Sequence, residues 1–145
     1  MEKVKGLFFD VGGTVFDWKN TASEKIRQLA EAKAQTIDGD AFAYEWRGEM
    51  FKVHTQVRQG NLPWMNADGM HRMALENLTA KYPLLSDIDR PSLVKSTWHH
   101  LNAFAGAPEA IDRLRTKYTV VVLTILSWEE RVGRTFFCIG NGLGI

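Results

Sequence analysis

The chain has 145 residues, of which 45% are hydrophobic and 24% charged, a composition that suits one compact unit and excludes a disordered chain. Its 18 Lys+Arg and 17 Asp+Glu nearly cancel to +1, and with no basic stripe this argues against a nucleic-acid partner. A single cysteine, Cys138, excludes an internal disulfide framework and a multi-cysteine zinc site.

The N-terminus, Met1-Glu2-Lys3-Val4-Lys5, leads into an apolar run too short for a signal peptide, and no apolar run approaches the length of a membrane span. A cytoplasmic protein without a membrane partner is therefore expected. Val4 to Phe9 reads as a first strand ending at Asp10. Thr21-Ala22-Ser23-Glu24 has the form of a capping box, with Ala22, Ile26, Leu29 and Ala30 on one helical face behind it. Asp40 is expected to cap a second helix carrying Phe42, Trp46, Met50, Val53 and Val57, which Gly60 and Pro63 end. Asn66 or Asp68 opens a third helix with Met70, Met73, Leu75 and Leu78. Asp89-Arg90-Pro91 opens a fourth with Leu93, Val94, Trp98 and Leu101 inward, because Pro suits the first helical turn. Gly106-Ala107-Pro108 starts a short helix through Ala110, Ile111 and Leu114. It feeds a β-branched run, Tyr118 to Thr124, that reads as a second strand. Continuous apolar runs of this kind suit parallel strands buried on both faces.

Strand, helices, connecting helix, strand is an α/β order. The stretch between the strands is longer than one crossover needs, so residues 18–105 are expected to form a helical cap inserted into a partial Rossmann-like core of residues 1–17 and 106–145. Such a cap covers the carboxyl end of the first strand, where open α/β sheets bind ligands. Two parallel strands do not make a stable sheet alone, and the stretch after Trp128 is poorly patterned. C-terminal truncation, with a tail from a shifted reading frame, is the expectation.

Asp10 ends the first strand and is followed by Val11-Gly12-Gly13-Thr14. Glycines there let backbone N–H groups approach a ligand, and a carboxylate so placed can attack an electrophilic carbon or phosphorus. The plain alternative is an aspartate that caps its own turn.

Leu7 to Trp18, with Asp10-Val11-Gly12-Gly13-Thr14 at its centre, resembles the first motif of the haloacid dehalogenase superfamily, hhhhDxxGThhD. The run Thr116 to Thr124 resembles the family's second motif, a strand ending in Thr or Ser, and the helical insertion falls where that family places a cap. The resemblance extends to about Trp128. It implies an aspartate nucleophile at Asp10, with Thr14 and the backbone of Val11 and Gly12 shaping an oxyanion-binding turn. The family's phosphatases carry an acid two residues after the nucleophile, where this chain has Gly12. An alkoxide leaving group needs that proton and a halide does not, so Gly12 favours the 2-haloacid dehalogenases, which also lack it. The resemblance then implies no cofactor, whereas the phosphatase alternative implies Mg²⁺. Trp46-Arg47 is similar to the pair near which those enzymes place a halide- and carboxylate-binding arginine; an ordinary helix-surface arginine is the alternative. Thr124 or Ser127 is the second-motif hydroxyl, available to a substrate carboxylate. The family's later Lys and acidic strand end have no counterpart, since no Lys follows Lys117 and no acid follows Glu130.

The implied activity is hydrolytic dehalogenation of short 2-haloacids through an aspartyl ester, with a small-molecule substrate and a homodimer allowed. A phosphatase-like hydrolase and a non-catalytic remnant stay open. The Asp-x-Gly-Gly-Thr turn also resembles the phosphate turn of sugar kinases and actin-like ATPases, but the strand expected after it is replaced by a helix start. Adjacent His99 and His100 point apart on a helix and read as cap-surface or interface residues and not as a metal pair. Gly140-x-Gly142-x-Gly144 is too weak for a nucleotide fingerprint, and Cys138 has no partners for nucleophilic chemistry.

Overall fold

A computed structural model describes residues 4–122 and Thr124. Its elements are β1 (Gly6–Phe9), α1 (Trp18–Ala32), α2 (Gly39–Arg58), α3 (Ala67–Leu78), α4 (Asp89–Trp98), α5 (Ala107–Arg115) and β2 (Thr119–Val122). Ser127, Cys138 and the glycine run at 140–144 lie outside the described residues.

The two strands pair in parallel, Gly6 opposite Thr119 through Phe9 opposite Val122. Burial on both faces is not met among the described residues. Phe8 is 71% exposed and neither strand contains a buried residue, because no described element covers the outer face of β1.

Two helix starts differ from expectation for a common reason: an aspartate two or four residues upstream caps first. Asp17 accepts from the Asn20 N–H at 3.1 Å and starts α1 at Trp18. Thr21 is then inside the first turn, where its buried hydroxyl donates to the Asp17 carbonyl at 2.7 Å and accepts from the Asn102 N–H at 3.2 Å. Asp38, not Asp40, caps α2, accepting from the N–H groups of Asp40 and Ala41 at 3.0 Å each. Asp40 is thereby released to accept from Lys19 at 2.6 Å and Arg27 at 2.7 Å, tying α2 to α1. The helices cross closely at Gly39, where a Cβ would stand 2.6 Å from the Ser23 carbonyl oxygen. Asn66 caps α3 through the Gly69 N–H at 2.9 Å. In front of α4, Asp89 accepts from Ser86 and from Lys33 of the loop after α1.

The main core lies within the four helices α1 to α4, around the fully buried Ile26, Phe42, Trp46, Leu75 and Trp98. Deleting a large ring from such a site costs about 3–5 kcal/mol. A second, smaller cluster joins Val11, Val15 and Phe16 to Leu101, Ala107 and Val122. It fastens the loop after β1 to the end of β2 and the start of α5, and the candidate site lies beside it.

Candidate functional site

The site is built on the turn that follows β1. The Val11 carbonyl accepts from the N–H groups of Val15 at 3.0 Å and Phe16 at 2.8 Å, and Gly13 donates to the Phe16 carbonyl at 2.9 Å. Gly13 has φ of +104°, a left-handed conformation that favours glycine. Phe104 donates to the Val15 carbonyl at 2.8 Å and Asp17 to the Asn102 carbonyl at 2.7 Å, so the chain before α5 straps the turn down. The side chains of Val11, Val15 and Phe16 are buried beneath it. The amides of Val11 and Gly12 take no part in the inward set formed by Gly13 to Phe16. Asp10 stands at the strand end with its side chain in the open.

Arg47 comes from α2, one residue after the fully buried Trp46. Its guanidinium carbon lies 4.4 Å from the centre of the Trp18 ring and 5.1 Å from that of Phe51, a cation held on aromatic faces. A Cβ on Gly12 would sit 3.8 and 3.9 Å from the two terminal nitrogens of Arg47, so the guanidinium lies over the turn. Burial pushes the pKa of Arg47 down, and the charge of Asp10 opposes that shift. None of the ion pairs among the described residues includes Arg47.

Asp10, Gly12, Arg47 and Thr124 line one cavity of about 110 Å³. Its walls are completed by apolar Met50, Ala67 and Met70 and by two histidines, His54 and His71. Four of the residues expected from sequence therefore converge on one space. Two do not line it: Val11 is buried under the turn, and Thr14 is exposed beside it. Ser127, the alternative to Thr124, is outside the described residues.

Sequence reasoning missed Trp18 as the platform of Arg47, and missed His71. His71 is 1% exposed, lies flat on Trp98 with ring centres 3.9 Å apart and 21° between planes, and meets Trp46 edge-on at 5.6 Å. The available signal was a histidine in register with Leu75 and Leu78 on the apolar stripe of α3. Of the adjacent pair His99 and His100, only His100 is exposed, 3.2 Å from the Lys95 carbonyl oxygen; His99 is largely buried at the end of α4, 2.9 Å from Asp68.

A carboxylate and a cation sharing a small, mostly apolar cavity can bind an anionic substrate and attack its electrophilic carbon. A magnesium site is a different proposition. Among the described residues no three His, Cys, Asp or Glu side chains cluster, and Asp10 is the only carboxylate lining the cavity, with a guanidinium beside it. The described donor set does not fit Mg²⁺, which needs several oxygen ligands. Among the described residues no helix is long and apolar enough to cross a membrane.

No protein-family profile and no curated protein matches the chain. Solved structures do. The L-2-haloacid dehalogenase PA0810 aligns with a TM-score of 0.77 at 25% identity, over 87% of this chain and 54% of its own. The defluorinating L-2-haloacid dehalogenase Rha0230 aligns with a TM-score of 0.76 at 20% identity, over 85% of this chain and 51% of its own. The L-2-haloacid dehalogenase of Xanthobacter autotrophicus, with chloropropionic acid covalently bound, gives 0.70 at 16% identity over 88% of this chain and 49% of its own. The chain thus spans about half the length of the structures it matches. Over the residues described, the chain is similar in fold to these L-2-haloacid dehalogenases, with a core that is partial.

Proposed function

We propose that this hydrolase-like chain carries the nucleophilic and anion-binding half of a 2-haloacid dehalogenase site. One carboxylate oxygen of Asp10 attacks C2 of a short 2-haloacid from the side opposite the halogen. The C–O bond of an aspartyl ester forms as the C–X bond breaks, and the halide leaves with the bonding electron pair. Arg47 receives the halide, and Thr124 donates its hydroxyl to the substrate carboxylate. Water then cleaves the ester and returns Asp10.

The observation that carries the reading is that Asp10 and Arg47 line one cavity, with the guanidinium over Gly12. A phosphate ester would place an alkoxide in that space, and no described side chain there is a second carboxylic acid able to protonate it. A halide needs no proton, only a cation and weakly hydrating walls, which Arg47, Met50 and Met70 offer.

The test is halide release from 2-chloropropionate, set beside Mg²⁺-dependent phosphate release from a generic phosphomonoester. Halide without phosphate is the expected outcome. Phosphate without halide would overturn the reading. Neither product, from a chain with no cooperative unfolding transition, would favour a non-catalytic remnant.

A further inference from the structure

We infer that His71 is a second binding group for the halide, donating an imidazole N–H to the anion that Arg47 receives. The inference rests on the dehalogenase reading of the cavity and adds a residue to it.

His71 lines the same cavity as Asp10 and Arg47 but comes from a different helix, α3. Its Nδ1 is buried and has no hydrogen-bond partner among the described residues. Leaving a buried polar atom unpaired is costly, whereas an apolar side chain would fill the gap between Trp98 and Trp46 without that cost. Packing therefore does not account for a histidine here. The stack on Trp98 and the edge contact with Trp46 fix the plane of the ring, so the imidazole is held in place before any ligand arrives.

Its chemistry fits an anion. Burial first, and the charge of Arg47 second, hold the imidazole unprotonated, so it carries one N–H and one lone pair and does not compete with Arg47 as a cation. As the C–X bond breaks, negative charge grows on the halogen. An N–H stabilises that charge without giving up its proton, because hydrogen halides are far stronger acids than imidazole. No proton moves in the step.

The experiment measures chloride binding to the full chain by chlorine NMR line broadening, for wild type, His71→Leu, His71→Asn and Arg47→Met, with thermal unfolding alongside. Asn places an amide nitrogen near the position of Nδ1. We expect His71→Leu to weaken chloride about tenfold without lowering the unfolding midpoint, and His71→Asn to recover most of the loss. If wild type binds chloride, Arg47→Met does not, and both His71 variants match wild type, His71 is structural and the inference is overturned while Arg47 keeps its role. If wild type and Arg47→Met are equally inert to chloride, the anion-site reading fails and this inference with it.

Discussion

The guanidinium of Arg47 lies over the ring of Trp18, 4.4 Å from its centre, so the first residue of α1 orients the cation that α2 sends into the cavity. Trp18 is itself held between Trp98, stacked at 6.5 Å, and Tyr44, edge-on at 5.7 Å. Close approach at the turn is possible because residue 13 is glycine: a Cβ there would stand 3.2 Å from the Trp18 indole nitrogen. Replacing Trp18 by Leu removes the aromatic face. Cation–π contacts contribute about 0.5–2 kcal/mol, so anion affinity should fall about two- to thirtyfold. Trp18→Phe should keep most of it. Equal chloride affinity in Trp18→Leu and wild type would show that Arg47 needs no platform.

Gly12 makes a sharper prediction. A Cβ at this position meets the terminal nitrogens of Arg47 at ordinary contact distance, so a side chain fits. Gly12→Asp would bring a carboxylate against the guanidinium and satisfy it internally. The variant should lose chloride binding while its unfolding midpoint holds or rises, since the new pair forms at the site's only described cation–turn contact. Retention of wild-type chloride affinity would show that Arg47 faces away from the turn when an anion binds.

Much of this arrangement was legible in the sequence, and the rest fails for identifiable reasons. The Asp10 turn, the parallel pairing of two apolar runs and the four-helix block all follow from local signals: a strand end, glycines and a helical period. Asp17 and Asp38 do not stand out as caps because Thr21 and Asp40 also fit cap patterns, and only tertiary partners decide between them. Thr21 bonds the segment before α5, and Asp40 bonds α1. Convergence on the cavity is likewise a tertiary fact. Nothing in the period of α3 distinguishes His71 from a filler of the apolar stripe; its unpartnered nitrogen and its neighbour Arg47 do.

The covalent step can be seen without steady turnover. Among the described residues no lysine lines the cavity to assist the second step, so ester cleavage should lag behind attack. Incubation with 2-chloropropionate should release about one halide per folded chain. It should also give a mass gain equal to the acid minus hydrogen chloride, on the peptide that contains Asp10. Asp10→Asn should abolish both, with a rate loss of about 10⁴-fold or more, and leave the fold intact because the side chain is exposed. A mass gain that survives this substitution would move the nucleophile elsewhere.

Acid stability separates two groups by their signs and windows. Asp40 is held at about 2, below its ordinary 3.8, chiefly by its hydrogen bond from Lys19, with Ser23 and Arg27 adding to it. A depressed carboxylate stabilises the fold above its unfolded pKa, and that contribution is lost as pH falls from about 4 towards 2. His71 is held at about 3, below its ordinary 6.5, by burial and by the charge of Arg47. Between these values the unfolded chain binds a proton that the folded chain refuses, so stability declines as pH falls from about 6.5 towards 3. The two windows overlap between about pH 4 and 3, and only His71 acts above about 4. In urea unfolding across this range, His71→Leu should flatten the decline between about pH 6 and 4, and Asp40→Asn should flatten only the part below about 4. An unchanged slope near pH 5 in His71→Leu would mean that the ring takes up its proton in the folded chain, so that it is not the neutral donor inferred for the anion.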